Sequence, residues 1–147
     1  MNSSVKSLLK KAFDHFQTAE HLYHTTLPVA KEPKLLLAIV KSISNSLEYF
    51  IQFILEQEKM PSPEGLLQKI NTLRPVTDKH HLSNQDIVFM LRIQEILHLQ
   101  KQSPVEFKRG DKRIICSEDY DLEILSPKEI ENFLQHLKKI LQQAKNP

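Results

Sequence analysis

The sequence predicts an all-α fold: an antiparallel bundle of four to five helices, with a small β-hairpin inserted before the last one. Three observations carry that expectation. Apolar residues recur at three- and four-residue steps over long stretches. Prolines punctuate the chain between those stretches, at Pro28, Pro33, Pro61, Pro63, Pro75, Pro104 and Pro127. Only 2 of the 147 residues are glycine, too few for a sandwich built on many tight turns. At this length, with 40% hydrophobic and 26% charged residues, residues 1–147 suit a single domain with a buried core.

The first helix is expected over Ser4 to Thr25, where Val5, Leu8, Leu9, Ala12, Phe16, Ala19 and Tyr23 form one apolar face. The second follows Pro33 and runs from Lys34 to Lys59. Leu36, Ile39, Val40, Ile43, Leu47, Phe50, Ile54 and Leu55 share one side, while Leu35, Leu37, Ile51 and Phe53 lie on others. A helix apolar round most of its circumference belongs at the centre of a bundle. Pro61-Ser62-Pro63 ends it, and a short helix from Glu64 to Leu73 is expected next. Residues 74–82 form a connector containing His80 and His81, predicted to be exposed. Ser83 reads as an N-cap with Asp86 three residues on, opening a helix from Asn84 to Lys101.

Beyond Pro104 the period changes. Val105–Lys108 and Arg113–Cys116 flank Arg109-Gly110-Asp111-Lys112, which reads as a hairpin around a glycine turn. An α+β alternative adds a third strand over Tyr120 to Leu125. Ser126-Pro127-Lys128-Glu129 starts the last helix, with Ser at the N-cap, Pro at the first helical position and Glu two further on. That helix, Pro127 to Ala144, is expected to bury Ile130, Phe133, Leu134, Leu137, Ile140 and Leu141.

Twenty basic residues against 18 acidic ones leave a formal charge of +2, which argues against a general DNA- or membrane-coating role. Cys116 is the single cysteine, so an intramolecular disulfide and a multi-cysteine zinc site are excluded. The longest purely apolar run, Leu35 to Val40, falls far short of a bilayer span. These features, with no apolar leader at the start, lead us to expect a soluble, cytoplasmic protein. No His-Glu-x-x-His, Gly-x-Ser-x-Gly, Walker loop or dinucleotide fingerprint occurs, so neither a metal nor another cofactor is expected. His15 and His136 read as surface residues on amphipathic helices.

The most informative stretch is Leu91 to His98. At about 100° per residue, Arg92, Glu95 and His98 step round one side of the helix, each about 60° from the last. Phe89, Met90, Ile93, Ile96 and Leu97 form the main core face. Val88, Leu91 and Leu99 stand among the polar residues. That mixture suggests a second contact surface, filled either by a dimer partner or by the hairpin. An internal Arg-Glu-His pairing along the helix explains the polar residues equally well.

Arg92, five intervening residues and then His98 is similar to the Arg-(four to six)-His pattern of HEPN domains, the higher eukaryote and prokaryote nucleotide-binding family. The long Lys34 to Lys59 helix, with Asn45, Ser46 and Glu48 amid aliphatics, resembles their central helix. The resemblance implies a bundle of four or five helices and a homodimer whose motif helices face each other. In active members it further implies a metal-independent endoribonuclease, toxin-like, with a composite site at the dimer interface. Carried over, Arg92 would hold the scissile phosphate, His98 would serve as general acid or base, and Glu95 would support them. Active members usually place a polar residue, often Asn, after the arginine; here it is Ile93. The departure favours a non-enzymatic module that binds a partner protein, such as a nucleotidyltransferase, or a nucleotide.

Lys108, Arg109, Lys112 and Arg113 cluster on the hairpin and are the candidate RNA contacts, with Phe107 as a stacking face. The bland reading is a charged edge that discourages strand pairing. The acidic stretch Glu118, Asp119, Asp121 and Glu123 would neutralise them and lacks the spacing of a calcium loop. Cys116 is expected to be buried as a small hydrophobe.

Overall fold

Ser46 donates a 2.7 Å hydrogen bond to the Ala12 carbonyl from inside the core, which shows how closely the first two long helices approach. The computed structural model describes residues 3–32, 34–101, 105–116 and 122–145, with backbone alone at residues 3, 105–109, 116 and 122–124. Helix α1 spans Ser3–His21, and Val5, Leu8, Ala12, Phe16 and Ala19 on one stripe are all buried. Ala12 and Ala19 are fully buried, and their small side chains allow that stripe to lie close on α3, Lys34–Gln57. Thirteen residues of α3 are buried, from Leu36 to Leu55. The helix is the axis of the bundle, as expected of one apolar round most of its circumference, with Lys34, Lys41 and Asn45 exposed on the remaining stripe.

The first helix does not stop at Thr25. The chain continues through a π turn, Leu22–Thr26, into the short helix α2, Leu27–Ala30. Leu27 N–H reaches back five residues to the Leu22 carbonyl. In a regular helix the Pro28 ring would press on the carbonyl four residues before it; the widened turn relieves that clash. Pro28 then lies in the first turn of α2, where its missing N–H is no loss. Lys31, with φ 53°, ends α2.

At the far end of α3, Lys59 takes a left-handed φ of 54°. Met60 N–H bonds the Leu55 carbonyl and Lys59 N–H the Glu56 carbonyl, a Schellman stop two residues short of the expected end. Helix α4, Leu66–Leu73, crosses back, followed by two single 3-10 turns at Arg74–Val76 and Asp78–His80. Helix α5, Asn84–Lys101, has the expected bounds. The expected α6 start at Pro127 is also observed, and the helix runs to Lys145. Helices α1, α4, α5 and α6 all contact α3 or its neighbours, giving an all-α bundle.

The hairpin pairs β1, Val105–Arg109, with β2, Lys112–Cys116, opposing Arg109 to Lys112 across a two-residue turn in which Gly110 has φ 65°. A third strand, β3, Leu122–Leu125, pairs antiparallel with β2, so the strand weighed as an alternative is present as an appendage of the bundle. Strand β2 packs on α5 and α3, and Ile115 and Leu125 enter the core fully buried.

The close α1–α3 contact generates a prediction. Ala12→Leu should overpack it and lower the unfolding free energy by about 1–3 kcal/mol in a urea titration. An unchanged midpoint would show that the contact has slack.

Candidate functional site

Helix α5 is held to α6 at its start and middle, and its end borders an open groove. At the start, Ser83 Oγ accepts from Asp86 N–H at 3.2 Å while Asp86 Oδ2 accepts from Ser83 N–H at 2.9 Å, a reciprocal capping box. Asp86 Oδ1 lies 2.7 Å from His136 Nε2 on α6. The His136 ring stacks on Phe89 with centroids 4.4 Å apart and planes 14° apart. Burial alone would raise the Asp86 carboxyl. The His136 hydrogen bond, the Ser83 bonds and the charge of His136 outweigh it and hold the carboxyl below its ordinary value. His136 is therefore a half-buried tie between helices, not the surface residue expected. Sequence spacing gives no sign of this, because the partners stand 50 residues apart.

One helical turn and a half further on, Arg92 Nη2 lies 3.2 and 3.4 Å from the two carboxylate oxygens of Glu129. Glu129 belongs to the first turn of α6, where its own N–H bonds Ser126 Oγ at 3.3 Å. Arg92 thus reaches across to α6, and the pairing along its own helix is not the arrangement observed. Glu95 is exposed. Ile93, the residue after the arginine, is fully buried in the core.

His98 stands about 120° round α5 from Arg92 and about 9 Å along it. It borders a groove of about 340 Å³ between α3, α4 and the end of α5, with Ser44, Glu48, Gly65, Gln94 and Lys101 among its lining. Arg92 does not line that groove. The two residues singled out by their spacing therefore serve different neighbourhoods within one chain.

The apolar residues on the same helix also divide. Leu91 and Leu99 are partly buried against the chain's own core, whereas Val88 is 64% exposed. On the sheet, Lys112 is exposed at the turn and Arg113 is half-buried. The side chains of Lys108, Arg109, Phe107 and Cys116 lie outside the described residues, as does most of the acidic stretch, 117–121. His80, expected to be exposed, is largely covered: its Nε2 lies 2.8 Å from Glu58 Oε1, and Lys79 Nζ lies 3.0 Å from Oε2. Hydrogen bonds from Lys79 and His80 pull the Glu58 carboxyl below its ordinary value.

No family model matches this chain. None of the curated proteins or solved structures compared with it is significantly similar. Among the described residues, no group of three or more His, Cys, Asp or Glu side chains is placed to hold a metal ion. No helix among them is long and apolar enough to cross a membrane.

The Asp86–His136 tie predicts an acid-sensitive increment of stability. A carboxyl held below its ordinary value of about 3.9 stabilises the fold fully above that pH and loses its effect as pH falls through the lower folded value. Asp86→Asn should therefore cost about 1–2 kcal/mol near neutrality, from the weakened cap and the lost charge-assisted bond. In chemical unfolding below pH 4 or so the gap between variant and wild type should close; a constant gap would separate the stability from the carboxylate.

Proposed function

We propose that the chain is a non-catalytic, HEPN-like interaction module that pairs with a second copy of itself and docks a partner protein. The observation that carries this reading is the engagement of Arg92 by Glu129, with His98 turned to a separate groove. A general acid–base and a charge-stabilising group must reach one reacting phosphate together. Ile93 adds support, because the position that active members of the family keep polar is packed into the core here. In this reading the two copies meet around Val88, a large apolar side chain at 64% exposure on α5.

Two experiments test the proposal. Light scattering at tens of micromolar should report a dimer, and Val88→Glu should convert it to a monomer with unchanged helix content. A wild-type monomer would overturn the pairing. Single-stranded RNA incubated with the protein in EDTA should stay intact. Cleavage that falls about a hundredfold in Arg92→Ala and His98→Ala would overturn the non-catalytic reading and establish the metal-independent ribonuclease instead. Glu129→Gln should lower stability by less than about 1 kcal/mol, because its pair with Arg92 is about one-third exposed.

A further inference from the structure

Ser44 is a polar residue in the wall of the central helix, only 6% exposed, and its hydroxyl has no hydrogen-bond partner among the described residues. The hydroxyl is not sealed from solvent, so it opens on a cavity and not into the packed core. Ser46, two residues on, is fully buried and donates to the Ala12 carbonyl. Ser44 instead lines the groove of about 340 Å³ beside α4.

The opposite wall of that groove is the first turn of α4. This helix begins at Gly65, which has φ 89° and ψ 144° and gives no side-chain cap. The Gly65 carbonyl accepts from Lys69 N–H at 3.1 Å, so the helical ladder starts there. The N–H groups of Leu66, Leu67 and Gln68 precede the ladder and meet no acceptor among the described residues. Three unsatisfied donors and the positive end of the helix dipole thus lie at the groove. The approach is fixed from below: buried Lys69 donates to the Pro63 carbonyl at 2.6 Å, which holds the loop that delivers Gly65. Lys69 also stands 3.8 Å from Glu48, offsetting the carboxylate that lines the groove. Lys101 and His98 stand at the rim on α5, with Gln94 below them.

The geometry points to a binding site for a small phosphomonoester, its phosphate on the α4 N-terminus and the Ser44 hydroxyl, and its organic part against Leu67 and Leu97. A phosphate dianion has three terminal oxygens to meet the three N–H groups, the hydroxyl and the Lys101 ammonium. A carboxylate has two and leaves donors unmet. The volume is many times that needed for one water, so the groove has room for more than the anion itself. Leu67, 38% exposed on the same wall, is one of only three large apolar side chains left exposed among the described residues. The site depends on neither pairing nor partner docking, so its failure leaves the interaction-module reading standing.

Titration calorimetry with phenyl phosphate, benzoate and phenol tests the site while keeping the ring constant. Phenyl phosphate should bind wild-type protein with a submillimolar Kd, and benzoate and phenol at least about tenfold more weakly. Ser44→Ala should weaken phenyl phosphate about tenfold without lowering the thermal midpoint of the ligand-free protein, because the hydroxyl it removes has no partner. Ser46→Ala should do the reverse, lowering the midpoint and leaving the Kd alone. Lys101→Ala should weaken binding at low salt, and the difference should shrink as salt is added. No binding of phenyl phosphate up to about 10 mM would overturn the site. So would equal affinity for benzoate or phenol, or an unchanged Kd in Ser44→Ala.

Discussion

The bundle depends on the burial of α3. A helix with Leu36, Ile39, Val40, Ile43, Leu47, Phe50, Ile51, Ile54 and Leu55 all nearly or fully inaccessible must be covered over most of its circumference, leaving water the stripe of Lys34, Lys41 and Asn45. Its neighbours supply narrower stripes: Val5, Leu8, Phe16 from α1, Ile70 and Leu73 from α4, Met90, Ile93 and Ile96 from α5, Leu137, Ile140 and Leu141 from α6. Each of those helices is amphipathic or mixed and gains most of its stability from this contact, since isolated helices of such lengths are marginal in water. The two buried serines of α3 show the same constraint at atomic scale. Ser46 is tolerated because a carbonyl of α1 accepts its hydrogen bond, and Ser44 because it opens on a groove.

Apolar stripes place the helices but do not set their rotation and offset. Polar ties between α5 and α6 do this. The Asp86 carboxylate serves two purposes at once, capping its own helix and meeting His136. The Phe89 ring stacked on His136 covers one side of that contact and fixes the orientation of the imidazole. Glu129 repeats the pattern in the opposite direction, belonging to the N-cap turn of α6 while meeting Arg92 of α5. In both pairs a carboxylate in the first turn of one helix meets a cationic or imidazole side chain of the other. The helix dipole favours the carboxylate at that end, so the local cap and the tertiary contact reinforce each other.

Features governed by near neighbours were legible in the sequence. The capping box at Ser83, the serine N-cap at Ser126, the glycine turn at Gly110 and the bounds of α5 follow from residues within a few positions of one another. Pro28 shows the limit of such local signals. A proline ordinarily ends a helix, and here the π turn carries the chain past it. The candidate site was less legible because its decisive contacts join distant positions. Glu129 is 37 residues from Arg92, and His80 is 22 from Glu58, so no helical spacing announces either pair. The spacing of Arg92 and His98 locates both on α5, but their surroundings are set by α6 on one side and by α3 and α4 on the other.

Gly65 shows how a locally poor choice can have a structural sense. Serine, threonine, aspartate or asparagine at an N-cap would satisfy one of the first-turn donors and usually stabilises a helix by about 1 kcal/mol over a residue without a cap. Such residues reach that geometry with negative φ, whereas the chain arrives here at φ 89°, a conformation open mainly to glycine. The arrival angle is held by Lys69, whose long side chain is buried to grip the Pro63 carbonyl. A buried lysine is costly unless its ammonium is bonded and balanced, and Glu48 provides the balance. A buried charge, a positive φ and an uncapped helix start therefore converge on one loop beside the Ser44 hydroxyl. Local terms oppose each of the three, and together they leave donors of one polarity exposed at a single groove.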